Sequence, residues 1–327
     1  MRSGGFWAFI AGALLLGVAF VALGKNEYYY FAAYVILQSM VMAIAWNILG
    51  GFTGYVNFGS AGFFAVSAYT TIALNKYLQS KGVQAPMIVF IIGGAVVCGL
   101  IGLGTGYLTL RLRGVYFAIA TLALAIVFQT FANNWDYVGA AKGAYILTPP
   151  PPLFFSSYIK FLFFVMLLMA LFAIIVSRYI VHSKFGRGRS AVRDDELAAE
   201  CMGVPTLRLK LISTTVMGVL MGMAGAPYPF YVTFVDPLSA FSLGIAVNSI
   251  AMPMIGGTAY WYGPVIGALL LGTAQEVISV TISSEMNVFL VGVVLVGFVV
   301  LAPSGLVGLF NQLRSRLRAR PQVASRA

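Results

Sequence analysis

Apolar residues along the chain lie in long runs that short polar or charged segments separate. A helix needs about 20 mostly apolar residues to cross a bilayer. Ten stretches meet this requirement, and they begin near Gly5, Tyr28, Ala61, Pro86, Gly114, Ile159, Leu209, Ala240, Pro264 and Met286. The pattern predicts an all-α polytopic membrane protein with about ten transmembrane helices, some of them broken, in a single transmembrane domain over 1–327.

Basic residues are distributed unevenly over the segments that connect these runs. With residue 1 on the cytoplasmic side and ten helices following it, the cytoplasmic segments hold 15 of the 20 Lys and Arg residues, including every Arg. An excess of Lys and Arg marks the cytoplasmic side. We therefore expect both termini there, a periplasmic loop at 133–158, a cytoplasmic loop at 177–207 and a basic cytoplasmic tail at 311–327.

Composition supports the membrane assignment. Hydrophobic residues make up 60% of the chain and charged residues only 9%, against about 25% charged residues in soluble domains. So few charges cannot cover a soluble globule of this length. The net charge of +11 indicates contact with anionic lipid headgroups rather than nucleic acid, because no basic patch with interleaved aromatic residues stands on a soluble module.

The cytoplasmic loop contains one segment with a helical composition. Residues 191–202 are rich in Ala, Leu, Glu and Met, Gly203 and Pro205 form a helix stop, and the acidic start favours the helix dipole. One side of this short helix is apolar, and it is formed by Leu197, Ala198, Cys201 and Met202. A helix of this length must pack against something, which is either its own membrane helices and the headgroups or a cytosolic partner.

Two glycine-rich stretches resemble each other. Residues 48–54 and 254–259 each carry a glycine pair before aromatic residues and a small-residue apolar run. Paired interruptions in the two halves of a transporter point to its translocation path, although close helix packing also uses glycine. The predicted helix breaks are Gly50, Gly51, Gly54, Gly256 and Gly257.

Catalytic chemistry is missing from the sequence. There is no Gly-x-x-x-x-Gly-Lys-Ser/Thr motif for a nucleotide phosphate, and no His/Cys cluster for a metal. The single His182 has no nucleophile for which it could act as a base. We therefore expect no catalytic residue, no metal and no cofactor in this chain, and no enzymatic activity.

Polar residues inside the apolar runs are the candidates for a translocation path. Glu276 is essentially the one ionisable residue there, and its alternative role is structural or a subunit contact. The other candidates are neutral and equally suited to hydrogen bonds between helices: Asn47, Thr53, Asn57, Ser60 and Asn248. A carrier driven by protons or sodium usually has several intramembrane acids, so transport is either downhill or driven by another subunit.

Several segments, taken in order, resemble the LivM-type branched-chain amino acid ABC transporter permease family. The resemblance rests on residues 47–54, 58–64, 111–123, 133–136, 188–203 and 256–268, and it runs from about 45 to 304. It implies a permease subunit of an ATP-driven importer in the inner membrane, for branched-chain amino acids or a related small solute such as urea or a short amide.

The resemblance also implies partners. These are a second homologous permease, two cytosolic ATPases that carry ATP and magnesium, and a periplasmic solute-binding protein. The cytoplasmic helix is similar to the helix that docks on an ATPase, and the residues implied in coupling are Arg193, Asp194, Asp195, Glu196, Ala199, Glu200 and Gly203. The alternative function, from the residues alone, is a self-contained channel for a small neutral solute.

The chain departs from the family pattern in three places. Ser60 stands where the family often has His, Ala140 and Ala141 stand where it often has a glycine pair, and Ala259 stands where a third glycine is common. All three departures are expected near the path or the outer face, so they bear on which solute is carried.

Overall fold

The computed structural model describes residues 3–24, 26–109, 112, 114–147, 149–152, 154–281, 284–301 and 305–311. Arg111 and Arg113, which belong to one segment of the family resemblance, lie outside the described residues. The same holds for the predicted basic tail beyond residue 311.

The described chain is almost entirely helical. Ten helices begin within three residues of the predicted apolar runs or, for one run, continue from a short helix: α1 (Ser3–Leu23), α2 (Glu27–Thr53), α3 (Ser60–Ser80), α4 (Met87–Thr109), α5 (Val115–Asn133), α6 (Tyr158–His182), α9 (Thr206–Gly225), α12 (Leu243–Gly256), α13 (Gly263–Thr281) and α14 (Ser284–Leu301). The shorter helices are α7 (Lys184–Asp194), α8 (Glu196–Cys201), α10 (Tyr228–Val232) and α11 (Pro237–Ala240). The all-α polytopic fold is confirmed.

Eight helical segments of the described residues are long and apolar enough to cross a membrane. Two of them join neighbouring helices, α9 with α10 and α11 with α12. The predicted spans at α3 and α14 are not among the eight, and α3 is the more polar of these two because it contains Ser, Thr, Asn and Lys. The number of ten crossings therefore stays a prediction.

Glycines bring α4 and α9 into close contact. A Cβ atom on Gly222 would approach the carbonyl oxygen of Gly94, one on Gly218 would approach that of Cys98, and one on Gly102 would lie 2.9 Å from that of Thr214. Small residues let helix backbones approach each other where the lipid provides no hydrophobic drive for association. Ser67 on α3 joins this contact by donating a 2.5 Å hydrogen bond to the carbonyl oxygen of Gly222.

The helices α12 and α13 form a hairpin whose closed end needs glycine. A Cβ atom on Gly256 would overlap the carbonyl oxygen of Gly263, and one on Gly267 would overlap that of Met252. The two helices are therefore packed backbone against backbone, and the turn between them, at residues 257–262, is fixed in position.

The predicted periplasmic loop has its own local structure. It contains two 3-10 turns, at Asp136–Val138 and Ala140–Lys142, and the strand β1 (Ala144–Tyr145), which pairs antiparallel with β2 (Phe234–Val235). Ala140 has a φ of 48°. This left-handed conformation favours glycine over alanine.

Two predicted helix breaks need correction. Gly50 and Gly51 lie inside α2 and do not break it, whereas the helix ends at Gly54, which has a φ of 78°. A Cβ atom on Gly51 would overlap the amide of Asn47, and one on Gly50 would lie 2.5 Å from the ring of Trp46. The glycine pair therefore leaves room for the bulky side chains one turn earlier.

The predicted cytoplasmic helix at 191–202 is not continuous, and the predicted loop at 177–207 is mostly helical. Asp195 separates α7 from α8 with an extended backbone, φ −156° and ψ 112°. Its side chain accepts a 3.0 Å hydrogen bond from the backbone N–H of Ala198, so it caps α8 instead of continuing α7. Gly203 follows α8 with a φ of 80°, as expected for the residue that stops a helix.

Candidate functional site

The helix α7 carries a fully buried arginine. Arg189 is 0% exposed, and its Nη1 donates hydrogen bonds to the carbonyl oxygen of Ile48 at 3.0 Å and to the Ser213 hydroxyl at 3.4 Å. The guanidinium lies over the rings of Phe185 and Phe52, at 4.6 and 5.3 Å from their centroids. Burial lowers the pKa of Arg189 to about 9, which still leaves the side chain charged at neutral pH.

The charge of Arg189 is placed at the carboxyl end of α2. A helix carries about half a negative charge at this end; Gly51 is among its last four carbonyl groups, which have no partner within the helix, and Ile48 lies about one turn earlier. Arg193 Nη1 supplies a second donor there, at 3.2 Å from the carbonyl oxygen of Gly51. Two cations of α7 thus stabilise the end of α2, and they attach α7 to it.

Glu196 at the start of α8 faces the protein. It accepts hydrogen bonds from the Tyr55 hydroxyl and from Lys210 Nζ, and it forms an ion pair with Lys210. Lys210 also donates to the Tyr55 hydroxyl at 2.9 Å. The Lys210 side chain is 3% exposed and that of Glu196 is 15% exposed. This group of three side chains, the Tyr55–Glu196–Lys210 cluster, joins α8 to the segment after α2 and to α9.

The rest of the inward face of α8 is also occupied. Ala199 packs against Val192 of α7 and Leu209 of α9 in a small apolar cluster. Glu200 accepts a 2.6 Å hydrogen bond from the Thr206 hydroxyl. The inward contacts of α8 therefore fix its orientation.

The outward face of α8 is apolar. Leu197 is 59% exposed and Met202 is 84% exposed, and Cys201 is exposed beside them. Exposed apolar side chains outside the membrane are typical of a protein-protein contact. Asp194 and Gly203 are exposed at the edges of this surface. We name the three side chains Leu197, Cys201 and Met202 the α8 outer face.

The two similar glycine-rich stretches meet in space. Asn47 Nδ2 donates a 3.3 Å hydrogen bond to the carbonyl oxygen of Thr258, and a Cβ atom on Gly51 would lie 3.1 Å from the Thr258 Cβ. Nearby, the hydroxyl groups of Ser60 on α3 and Ser249 on α12 are 2.8 Å apart, and both residues are buried. The structure thus places Asn47 and Ser60 at one interface between the α2–α3 and α12–α13 regions.

The remaining path candidates have different surroundings. The carbonyl oxygen of Asn57 accepts a 2.8 Å hydrogen bond from Trp46 Nε1. The Oδ1 atom of Asn57 accepts a 2.6 Å hydrogen bond from the backbone N–H of Gly59. The Thr53 hydroxyl donates back to the carbonyl oxygen of Leu49 on its own helix. Asn248 accepts a 3.0 Å hydrogen bond from Gln275 Nε2.

Glu276 is separate from these contacts, since it lies on α13 with a partly exposed side chain. The cavity next to Asn57 has a volume of only about 10 Å³, and four threonines line much of it: Thr105, Thr109, Thr121 and Thr214. A cavity of this size holds about one water molecule. The polar interior is therefore closed to an amino acid at this point.

Sequence reasoning missed the residues that hold α7 and α8 in place. Arg189 stands in the predicted cytoplasmic loop and Lys210 at the start of the next apolar run, and both are buried. Tyr55 follows a glycine-rich stretch, and nothing in its spacing marks it as the partner of Glu196. The available signal for Lys210 was its position within the first turns of an apolar helix, and no local signal marks Arg189.

Comparison with known proteins identifies the family. The family described as branched-chain amino acid transport system, permease component, matches residues 28–299. The chain is 26% identical over 333 residues to the high-affinity branched-chain amino acid transport system permease protein LivM of Escherichia coli (strain K12), which covers 91% of this chain and 74% of that protein.

Other relatives include LivH proteins. The identity is 22% over 283 residues to LivH of Escherichia coli (strain K12), with 82% of this chain and 90% of that protein covered. It is 24% over 272 residues to the probable LivH of Methanocaldococcus jannaschii, with 78% and 84% covered. No solved structure gives a significant match. Because the family match extends over most of its residues, the chain belongs to the family of branched-chain amino acid transport system permease components.

Proposed function

We propose that this protein is the membrane-spanning permease subunit of an ATP-binding-cassette importer in the inner membrane. ATP, with magnesium, is hydrolysed on two separate cytosolic subunits, a second homologous permease completes the membrane part, and a periplasmic protein delivers the solute. The family match and the similarity to both LivM and LivH support this assembly. Both termini lie in the cytoplasm, in agreement with the distribution of Arg along the sequence.

The observation that carries the proposal is the two-sided character of α8. Its inward side is held by the Tyr55–Glu196–Lys210 cluster and by Ala199, while its outer face exposes Leu197 and Met202. A helix of six residues gains its stability from packing rather than from its own hydrogen bonds. A helix held in this way suits the transmission of force from a docked ATPase.

The proposed solute is a branched-chain amino acid or a related small polar molecule such as urea or a short amide. The buried polar groups at the interface of the two glycine-rich stretches are neutral amides and hydroxyls, namely those of Asn47, Ser60 and Ser249. Such groups hold a zwitterion or an amide weakly, which allows the solute to be released again.

The test is ATP-dependent uptake in proteoliposomes that contain this chain, the second permease, the two ATPases and the binding protein. Leu197→Arg places a charge at the centre of the α8 outer face, and we expect loss of ATPase association and of uptake, because interface cores exclude charge. The matched control is Leu147→Arg, since Leu147 is 84% exposed in the predicted periplasmic loop. This variant retains association with the ATPases.

Two results would contradict the proposal. If the Leu197→Arg variant keeps full ATPase association and uptake, α8 does not dock on the ATPase. Solute flux through liposomes that contain this chain alone, without ATP, would favour the alternative function of a self-contained channel. Cys201 offers an independent measurement, because it is exposed while Cys98 is buried, and a bulky maleimide on Cys201 should block association.

A further inference from the structure

The turn at residues 257–262, which we name the inner turn, is held at two places. At its start, the carbonyl oxygen of Thr258 accepts the hydrogen bond from Asn47. At its end, the ring of Trp261 lies edge-on to that of Phe6, with 5.5 Å between the centroids. The guanidinium of Arg178 lies 3.9 Å from the Phe6 centroid and 5.7 Å from that of Trp261.

Both attachments connect directly to α7. Arg178 is near the end of α6, and α6 is followed by α7 after a single residue, Ser183. Asn47 is on α2, whose last carbonyl groups receive the hydrogen bonds from Arg189 and Arg193. A displacement of α7 must therefore move α2, α6 or both, and with them the two contacts that hold the inner turn.

The connection through α2 is short and stiff. The carbonyl group of Ile48 is one residue from Asn47, and that of Gly51 is one helical turn away. Gly51 also contacts Thr258 closely, because a Cβ atom there would lie 3.1 Å from the Thr258 Cβ. The carbonyl groups that accept from the two arginines thus lie within the last two turns of the same helix as Asn47, which bonds to the inner turn.

Arg189 has N–H groups that do not donate a hydrogen bond to any described residue. Its Nε and Nη2 are buried and have no hydrogen-bond partner within the described part of the protein. A guanidinium has five N–H donors in a rigid fork, so Arg189 can change its acceptor along the end of α2 without first losing every bond. This is the property that a moving contact needs, and buried donors without a partner call for an explanation of this kind.

We propose that Arg189, assisted by Arg193, transmits the movement of α7 to the inner turn through the end of α2, and that release of Thr258 by Asn47 opens the cytoplasmic side of the path. The inference rests on the proposed function, because the movement of α7 comes from the ATPases. Arg189 is a positioning residue here, since it acts through α2 and does not touch the solute.

The test uses the complete transporter in proteoliposomes, with ATP hydrolysis and solute uptake measured in the same preparation. For Arg189→Met we expect hydrolysis to continue while uptake per ATP falls about tenfold, which lies within the usual range of coupling between two sites. Arg189→Lys keeps the charge and should restore part of the uptake. The matched control is Arg187→Met, since Arg187 is exposed on the same helix, and it should leave the ratio unchanged.

A second measurement reports on the inner turn itself. Ser60→Cys, in a chain with Cys201→Ser, introduces a thiol at a position that is 0% exposed, beside the glycine-rich interface. Its labelling by a small thiol reagent should depend on the nucleotide state of the ATPases, and this dependence should disappear with Arg189→Met. If Arg189→Met does not fold, Gly51→Ala tests the same connection, because its Cβ atom would displace Asn47.

The outcomes separate the two proposals. If the unmodified complex shows no ATP-dependent uptake, the proposed function fails. If the unmodified complex transports and Arg189→Met or Gly51→Ala retains both the uptake per ATP and the nucleotide-dependent labelling, the proposed function stands and this inference is overturned.

Discussion

Replacing Lys210 by Met should destabilise the protein. The loss of stability should overlap with that caused by Glu196→Gln, so that the double variant loses less than the sum of the two single losses. Lys210→Met removes the ammonium group from the Tyr55–Glu196–Lys210 cluster and keeps the apolar stem of the side chain. The change removes the ion pair between Lys210 and Glu196, while the hydrogen bond from the Tyr55 hydroxyl to Glu196 is retained. Glu196→Gln is the complementary change, because it neutralises the carboxylate and leaves the ammonium.

The size of the effect follows from burial. Removal of one member of a buried ion pair costs about 3–5 kcal/mol. The Glu196 side chain is 15% exposed, so water reaches the carboxylate and we expect the lower end, about 3 kcal/mol. In the double variant both members of this ion pair are absent, and a coupling free energy of about 2–3 kcal/mol is expected between the two sites.

The assay is the temperature at which half of the detergent-solubilised protein is lost from the monodisperse peak after heating. A change of 1 kcal/mol corresponds to about 2 °C in a chain of this size, so each single variant should lose about 6 °C and the double variant little more. All variants are heated at one rate, because the unfolding of such proteins is often irreversible.

Additivity would refute the reasoning. If the double variant loses the sum of the two single losses, the charges do not interact, and the contact of Lys210 with Glu196 contributes nothing to stability. Lys81→Met is the control, since Lys81 is exposed and its replacement should leave the temperature nearly unchanged.

Three further predictions use the same stability measurement. Gly267→Ala should destabilise the protein by about 3 kcal/mol or more, because its Cβ atom would overlap the carbonyl oxygen of Met252. The control Gly104→Ala should have little effect, since no atom lies within 4 Å of the added Cβ, and equal losses would contradict the backbone contact of α12 and α13. Ala140→Gly should stabilise the protein by about 0.5–1 kcal/mol, because glycine adopts the left-handed φ of 48° without strain, whereas the control Ala141→Gly should not stabilise it. A loss of stability with Ala140→Gly would show that this φ carries no strain. Ser60→Ala should lower the free energy of unfolding by only about 1 kcal/mol, since Ser249 still donates to the carbonyl oxygen of Ala246 at 2.7 Å. In a transport assay of the same variant, an unchanged KM for uptake would exclude a contact of Ser60 with the solute.

The positions of the long helices could be predicted because the bilayer restricts the alternatives. A spanning segment must satisfy its backbone hydrogen bonds internally, so a run of about 20 apolar residues has helix as its only solution apart from a closed barrel. The start of α2 near Tyr28 and of α6 near Ile159 follow from this rule alone. Outside the membrane the rule does not apply, and there the predictions were less accurate.

The break at Asp195 shows why. The composition of 191–202 favours one helix, but Asp195 uses its side chain to accept from the Ala198 backbone, and Asp competes with helix continuation in this way. An Asp before a Glu-Leu-Ala-Ala run is also a recognised N-cap signal, so the break was present in the sequence and was outweighed by propensity. The glycine pair at 50–51 is the opposite case, since only the packing of Trp46 and Asn47 shows why the helix tolerates it.

Arg189 and Arg187 differ by two residues in sequence and have opposite environments, one buried and one exposed. No local pattern separates them, because the difference depends on the position of the end of α2 relative to α7. The same comparison explains why the sequence predicts a short helix that packs against something at α8, but not the particular contacts that hold this helix. Of the predicted coupling residues, Glu196 and Ala199 face inward and position the helix, while the surface available to a partner is formed by Leu197 and Met202. Under the proposed function, a motif that combines both sets encodes two tasks, attachment to the membrane helices and contact with an ATPase, and the two tasks occupy opposite sides of one short helix.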